Sequence, residues 1–312
     1  MHSGVPAIQL ENVTKIYRVG FWRRPLYALK KASLTIHQGE IFGYLGPNGA
    51  GKTTTIKLLI GLLYPDGGSL RVFGGSPHDP EVKQRLGYMP ENPYFYEYLT
   101  VQEYLQILAR IYRMPTPERK QRIDEVMETL HLTPHRKKRI RQLSKGLMQR
   151  LSMAQAILHQ PELLILDEPL SGLDPLGRRE LRELIFSLRE NCTIFFSSHI
   201  LADAEMLCDR VGILLDGEIV KTGTLSELVT GEIRYFDVWV KAEPDAFPSL
   251  ENAGFRRVGP TEWERRCPDE TDLNATIDTV RSIPGAQLRA VNPVRRSLED
   301  IFIQTVREGG AG

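Results

Sequence analysis

The sequence predicts an α/β fold whose functional groups lie at one edge of a buried sheet, followed by a smaller α+β domain. Three observations predict this. A glycine-rich loop lies between an apolar run and a helical pattern, and a second apolar run ends in two adjacent carboxylates. After Gly223 these motifs stop and prolines separate short segments. We therefore expect a first domain over residues 1–230 and a second over residues 231–312.

Two strand patterns, residues 8–17 and 28–36, open the chain. The insertion between them, residues 20–27, contains Phe21 and Trp22 beside two arginines. Its position between two strands predicts a mobile β-hairpin tip. Two interpretations of the tip stay open, contact with lipid headgroups or a membrane subunit, and a packed loop.

The glycine-rich loop predicts a phosphate-binding site. It follows the apolar run of residues 40–45 and precedes the helical pattern of residues 54–63, and its glycines leave backbone amides free to surround phosphates. We expect Lys52 to reach the β- and γ-phosphates of a nucleotide and the Thr53 hydroxyl to bind Mg²⁺. The expected nucleotide-binding residues of this phosphate loop are Gly46, Asn48, Gly49, Ala50, Gly51, Lys52, Thr53 and Thr54.

The second apolar run, residues 163–166, predicts a buried parallel strand that ends in Asp167 and Glu168. Ligands of open α/β sheets bind at the carboxyl ends of the strands, where these two acids stand. We expect Asp167 to hold Mg²⁺ through water. Glu168 is expected to orient or deprotonate the attacking water.

Composition indicates a globular chain that is large enough for two domains. The 312 residues are 41% hydrophobic and 25% charged, and the net charge is +1. No apolar run approaches the roughly 18 residues that a membrane-spanning helix needs, so a cytoplasmic location is expected. Cys192, Cys208 and Cys267 lack metal-site spacing, and their odd number argues against a disulfide framework. They are interpreted as core or surface thiols.

Three further motifs accompany the phosphate loop and the carboxylate pair, at residues 143–150, 171–174 and 197–199. With these five motifs in this order, residues 8–223 of the chain resemble the ABC-type ATPases. The resemblance implies a P-loop NTPase fold with a mixed sheet and a helical subdomain at about residues 99–160. It also implies that ATP and Mg²⁺ are bound, and that two such domains dimerise head to tail around two ATP molecules, as a homodimer or with a related subunit.

The resemblance assigns further residues to the nucleotide. Ser144 and Gly146 would reach the γ-phosphate of the ATP held by the opposite subunit, with the amino end of their helix directed at its charge. Asp174 would line the dimer seam.

The resemblance also implies roles for two aromatic side chains, and each has an alternative interpretation. His199 would hydrogen-bond the γ-phosphate and help to fix Glu168, although a histidine at a strand end is often structural. Tyr17 would stack on adenine, worth ~1–3 kcal/mol. Its alternative is a half-buried strand tyrosine.

Two positions depart from the commonest family pattern. Glu91 stands where glutamine is usual; it can accept from a metal-bound water but adds negative charge near the γ-phosphate. The motif at residues 143–147 reads Leu-Ser-Lys-Gly-Leu, so Lys145 adds a cation. Both variants are similar to the subset that powers ABC-2 type exporters.

A transport ATPase without a membrane span needs separate transmembrane permease subunits as partners. The aromatic segment at residues 94–99 is a candidate contact with them, or it packs the helical subdomain. The basic run at residues 135–141 is a solvated face, or it meets lipid headgroups or an acidic membrane partner. Two other functions stay open: a membrane complex without transport, and action on DNA or ribosomes. Nucleic acid is not an expected partner of a nearly neutral chain.

The region after Gly223 predicts a β-α-β-β-α-β order, which suggests a ferredoxin-like module. Its predicted segments are a strand at 233–241, a helix at 246–252, strands at 255–258 and 262–267, a helix at 273–282 and a strand at 286–291. A last helix is predicted from Ser297, with Asp300 three residues on. We expect this domain to support dimerisation or regulation, with an inert appendage as the alternative.

Overall fold

The computed structural model describes residues 4–20, 22–229, 233–295 and 297–309. The chain divides into two compact units, Met1–Leu225 and Ser226–Gly312. The domain boundary predicted between residues 230 and 231 lies outside the described residues, and so does Phe21.

The first unit contains two sheets. Its strands are β1 Ile8–Val19, β2 Arg24–Ile36, β3 Ile41–Leu45, β4 Gly67–Val72, β5 Leu86–Met89, β6 Leu163–Asp167, β7 Thr193–Ser198, β8 Arg210–Leu215 and β9 Glu218–Thr224. One sheet has the order β2-β1-β4, and all its pairs are antiparallel. The other has the order β5-β6-β7-β3-β8-β9; only its last pair is antiparallel, so the mixed sheet is confirmed.

Helices connect and cover these strands. They are α1 Lys52–Leu59, α2 Pro80–Gln84, α3 Val101–Ile111, α4 Thr116–Thr129, α5 Lys145–Ile157, α6 Pro175–Leu188 and α7 Leu201–Leu207. A short helix, α8 Leu225–Leu228, begins at the last residue of the first unit. Helix α1 begins two residues before its predicted start and ends four residues before its predicted end. The cause of the early end is Gly61, whose φ of 69° is the left-handed conformation that closes helices.

The central strands of the mixed sheet are buried along their whole length. Every residue of β3, β6 and β7 is buried, as expected for parallel strands covered on both faces. Phe42 and Phe195 stack across this core with ring centroids 6.4 Å apart. The carboxyl ends of the three strands therefore present their last residues at one edge, which is where the sequence predicts the functional site.

The predicted hairpin is present between β1 and β2. Val19 pairs with Arg24, and the amide of Arg23 donates to the carbonyl of Gly20 at 3.1 Å. Trp22, beyond the strand ends, is 80% exposed.

The helical subdomain contains α3, α4 and α5. Thr100 and Glu103 form a capping box at the start of α3, because the Thr100 side chain accepts from the Glu103 amide and the Glu103 carboxylate accepts from the Thr100 amide. The preceding aromatic segment is divided: Tyr94 is 93% exposed, whereas Phe95 is buried and packs edge-on against Tyr104 at 5.3 Å. Of the two interpretations of this segment, packing of the helical subdomain therefore holds for Phe95, whereas Tyr94 is free to contact a partner.

The second unit contains a four-stranded antiparallel sheet. Its elements are β10 Ile233–Ala242, α9 Phe247–Asn252, β11 Arg256–Arg257, β12 Glu262–Cys267, α10 Glu270–Ser282, β13 Ala286–Arg295 and α11 Leu298–Gly309. The strand order β11-β12-β10-β13 is that of a split β-α-β arrangement and agrees with the predicted element order. Ser297 Oγ accepts from the Asp300 amide at 3.2 Å, which is the predicted cap of the last helix.

Within the part of the chain that the structure describes, none of the helices combines the length and the apolar composition of a membrane span. The three cysteines are free thiols, with Cys208 and Cys267 buried and Cys192 half-buried.

Candidate functional site

The phosphate loop connects β3 to α1 and depends on its glycines. Gly49 and Gly51 have φ angles of 85° and 113°, in the left-handed region that side chains other than glycine rarely occupy. A Cβ atom at Gly46 would overlap the carbonyl oxygen of Leu214, and one at Gly51 would overlap the carbonyl oxygen of Ala28. The loop backbone therefore lies closer to its neighbours than any side chain would permit.

The amino end of α1 is open to a ligand. Its N-cap, Gly51, offers no side-chain cap, and the first turn contains no acidic residue. The first hydrogen bond of the helix joins the Thr55 amide to the Gly51 carbonyl at 3.0 Å, so the amides of residues 52–54 precede it. These amides and the helix dipole favour an anion at this end.

Lys52 is buried, at 6% exposure, and its ammonium group is held inside the loop. The Nζ atom donates to the carbonyl oxygens of Gly46 at 2.6 Å and Pro47 at 3.2 Å. It also lies 3.2 Å from Oε1 of Glu168. The cation thus links the phosphate loop to the carboxylate pair.

Asp167 is fixed by a serine on the neighbouring strand. Ser197 Oγ donates to Asp167 Oδ1 at 2.8 Å and accepts from the Glu168 amide at 3.1 Å. Burial raises the pKa of the Asp167 carboxyl above its usual value, and the charges of Glu168 and Glu91 act in the same direction. The Ser197 hydrogen bond opposes this shift.

Glu168 has a strained backbone, and the two oxygens of its carboxylate have different surroundings. Its φ of 49° is unusual for a residue other than glycine, and such strain is common at functional sites. Oε2 lies 2.7 Å from His199 Nδ1. Oε1 is buried and has no hydrogen-bond partner among the described residues, since its approach to Lys52 is an ion pair without hydrogen-bond geometry.

Glu91 follows β5 and contributes a third carboxylate. It is exposed, and it lines the same cavity as Glu168. Its negative charge affects Tyr88. Burial is the main cause that raises the pKa of Tyr88 to about 12, and the charges of Asp167 and Glu91 add to the shift. The charges of Glu168 and Glu91 both act on Asp167, so the three carboxylates interact electrostatically.

A cavity of about 530 Å³ brings most of the predicted residues together. The predicted residues that line it are Tyr17, Asn48, Gly49, Gly51, Lys52, Thr53, Thr54, Glu91, Glu168 and His199. Gly46 and Ala50 belong to the loop without lining the cavity, and Asp167 is almost fully buried at 3% exposure. The volume lies within the range of small-molecule sites.

Ser144, Gly146 and Asp174 do not line this cavity. Ser144 is exposed and caps α5, where its Oγ accepts from the Leu147 amide at 3.4 Å. Asp174 caps α6, where its Oδ1 accepts from the Gly177 amide at 3.3 Å.

The sequence did not identify several residues of the site. The cavity is also lined by Leu26, Tyr27, Ala28, Pro47 and Ser171. Leu26 and Tyr27 come from the insertion that we interpreted as a membrane contact or a packed loop, and Leu26 pairs with Tyr17 across the hairpin. For Ser197 a signal was present, since it belongs to the same motif, residues 197–199, as the predicted His199.

Comparisons with known proteins agree with the resemblance that the sequence motifs indicate. The family described as "ABC transporter" matches residues 29–171. An ABC transporter ATP-binding protein of Synechocystis is 42% identical over 308 residues, which cover 97% of this chain and 85% of that protein. The bacitracin transport ATP-binding protein of Enterococcus faecalis is 34% identical and covers 97% of both chains.

Solved structures match about 70% of the chain. The dimeric structure of a bacterial ABC transporter cassette has a TM-score of 0.64 and 28% identity, and the match covers 70% of this chain and 98% of that one. A second dimeric structure of the same cassette, in a post-hydrolysis state with ADP and Pi, has a TM-score of 0.63 and 27% identity, with the same coverage. The chain belongs to the ABC transporter family as an ATP-binding, ATP-hydrolysing subunit.

Proposed function

We propose that this chain hydrolyses ATP at the cavity described above, in a head-to-tail dimer, and that it powers export through separate membrane subunits. The observation that carries the proposal is the buried carboxylate of Glu168. It is held by His199 on one oxygen and stands at the cavity that the phosphate loop also lines.

The phosphate loop would hold the triphosphate through backbone amides and Lys52. The uncapped end of α1 supplies donors and positive potential, and no acidic residue in its first turn opposes an anion. Lys52 already lies at the cavity with its ammonium beside Glu168. An arriving γ-phosphate would replace that carboxylate as the partner of the cation.

The residues present fit Mg²⁺ bound together with the nucleotide. Thr53, Asp167 and Glu91 offer the oxygen donors that this ion prefers. The described residues contain no group of three or more His, Cys, Asp or Glu side chains that would hold a metal unaided. That suits Mg²⁺, which is usually bound by one or two carboxylates together with substrate phosphates. The ion would neutralise the charge that develops on the phosphates.

Glu168 is proposed as the group that orients or deprotonates the attacking water. Its Oε1 has no hydrogen-bond partner among the residues described, so this atom is available to accept from a water in the cavity. His199 fixes the other oxygen. Burial at 8% exposure limits competing solvent around the carboxylate.

Dimerisation would complete the site from outside. Ser144 and Gly146 do not line their own cavity, and they lie at the start of α5 without an acidic residue in its first turn. This exposed helix end suits the γ-phosphate of a nucleotide held by a second copy.

Closure of the dimer also has to be energetically feasible. Moving the ratio of closed to open dimers from 1:99 to 99:1 takes ~5.5 kcal/mol of differential affinity. A few charge-assisted hydrogen bonds of ~1.5–3 kcal/mol each supply that amount.

The membrane partner would contact the exposed tyrosines before α3. Tyr94, Tyr96 and Tyr98 are 93%, 56% and 69% exposed, and tyrosines are frequent at interface hot spots. A relative named for bacitracin transport supports an exporter. The chain would then act at the inner face of the cell membrane.

The substitution Glu168→Gln tests the catalytic assignment. ATP binding should stay within about threefold of the parent, and a stable dimer should accumulate with ATP. Turnover should fall by at least ~100-fold, the effect of losing a general base. The matched control is Glu183→Gln, an exposed acid of α6 that is paired with Arg179. Turnover of Glu168→Gln at the parental rate would refute the assignment.

A further inference from the structure

A second cavity, separate from the nucleotide site, lies between α3 and α4. Its volume is about 260 Å³, and residues of both helices line it together with Arg136 from the segment that follows α4. The volume is near the lower limit for small-molecule pockets. A small ligand therefore fits better than a drug-sized one.

The charge of this cavity is strongly positive. Four cations line it, Arg110, Arg119, Lys120 and Arg136, against a single carboxylate, Asp124. That carboxylate is already paired with Arg136 at 2.5 Å. Among the described residues, no acidic side chain forms an ion pair with Arg110, Arg119 or Lys120.

Arg119 has one donor without an acceptor among the described residues. Its guanidinium donates to the Met114 carbonyl at 2.8 Å, which fixes its position. Its Nε atom is buried and has no hydrogen-bond partner within the described part of the chain. Buried donors are normally satisfied, and a donor left without an acceptor is unfavourable. Gln102 and Gln106 add neutral donors to the same wall.

We propose that this cavity binds a phosphate-bearing anion, either a free phosphomonoester or a lipid headgroup. Planar guanidinium groups match phosphate geometry, and a lysine adds a point charge. The small volume suits one phosphate group with a short substituent. The bound anion would join α3 to α4 and so stabilise the helical subdomain.

Calorimetry with glycerol 3-phosphate and the full chain tests the free-ligand source, with the nucleotide site filled by Mg-ADP. We expect one site per chain, and a melting temperature that rises with ligand concentration. The double substitution Arg110→Gln with Lys120→Gln removes two exposed cations of the cavity and should weaken binding at least tenfold. The charge-matched control is Arg71→Gln with Lys83→Gln, since both residues are exposed and lie outside the cavity and outside the basic run of residues 135–141.

Sedimentation with phosphatidic acid vesicles, against phosphatidylcholine vesicles, tests the lipid source with the same variants. Binding in either arm that falls in the cavity variant and persists in the control supports the proposal and identifies the source. Equal losses in both variants, or no binding in either arm, overturn it. If the double variant melts below the assay temperature, the single substitutions Arg110→Gln and Lys120→Gln are measured in its place.

Discussion

The Nδ1 atom of His199 lies 2.7 Å from Oε2 of Glu168, while Oε1 of the same carboxylate has no hydrogen-bond partner in the described chain. The two oxygens therefore have different surroundings. An ionised carboxylate only accepts, so His199 must carry its proton on Nδ1 to donate here. Its Nε2 atom is then left as an acceptor when the ring is neutral.

Substitution of His199 should separate the positioning of Glu168 from contact with phosphate. His199→Ala should lower kcat by roughly 100-fold, because a misplaced general base loses most of its effect, and it should leave ATP affinity nearly unchanged. His199→Asn places an amide N–H near the position of Nδ1, whereas His199→Gln places it near Nε2. Steady-state and single-turnover hydrolysis should recover in part with Asn and not with Gln. Recovery with Gln alone would show that the contact with Glu168 is not what matters.

Lys52→Ala should abolish tight ATP binding. The side chain is the buried cation of the phosphate loop, and one charge-assisted hydrogen bond contributes ~1.5–3 kcal/mol. Loss of its contacts predicts an affinity at least ~10–100-fold weaker, measured with a fluorescent ATP analogue. Lys57→Ala is the control, because Lys57 is an exposed lysine of the same helix. Parental affinity in Lys52→Ala would refute the assignment of the phosphate loop.

The fold could be predicted where local patterns are strong. The apolar runs of β3 and β6 are buried along their length, and the glycines of the phosphate loop have the positive φ angles that explain their presence. The sequence could not separate Phe95 from the tyrosines beside it, since whether one ring of an aromatic run is buried depends on a distant partner. Here that partner is Tyr104 on α3.

The motifs of the site could be predicted from the sequence, whereas the contacts between residues that are distant in sequence could not. Asp167, Glu168 and His199 each end a buried strand or follow one directly, so the edge that they share was expected. The role of Leu26 at the cavity depends on its pairing with Tyr17, which no local pattern of the insertion contains. The same holds for the hydrogen bond from Ser197 to Asp167, because it joins two strands 30 positions apart in sequence.

Asp167→Asn should stabilise the nucleotide-free protein while it abolishes activity. Burial raises the pKa of this carboxyl above its ordinary value of 3.8, so the charged form is unfavourable in the folded state. This destabilising effect is absent below pH 3.8, grows as the pH rises through the folded pKa, and is complete at neutral pH. Asparagine carries no charge, and its amide oxygen can still accept from Ser197.

The measurement is thermal unfolding of the parent and Asp167→Asn at two pH values. At pH 7.5 the variant should melt higher by roughly 2–4 °C, the shift that about 1 kcal/mol produces in a domain of this size. The difference should shrink as the pH falls toward 3.8, because protonation progressively removes the charge of the parental carboxyl. Leu166→Val, an apolar change in the same strand, controls for the pH dependence of the rest of the protein. A gain that is independent of pH would show that the charge of Asp167 is not its cause.

Gly172→Ala should disturb the contact between the segment before α6 and the start of α5. Gly172 has a φ of 67°, and a Cβ atom there would overlap Nζ of Lys145. We expect a loss of about 1 kcal/mol from the backbone alone, and a further loss because Lys145 must move. Gly39→Ala is the matched control, since Gly39 has a φ of 81° with no atom within 4 Å of the added Cβ. In a Lys145→Ala background the cost of Gly172→Ala, measured by denaturant unfolding, should fall to that of the control. A cost that is the same in both backgrounds would mean that the lysine moves aside freely and that the two segments are not coupled through it.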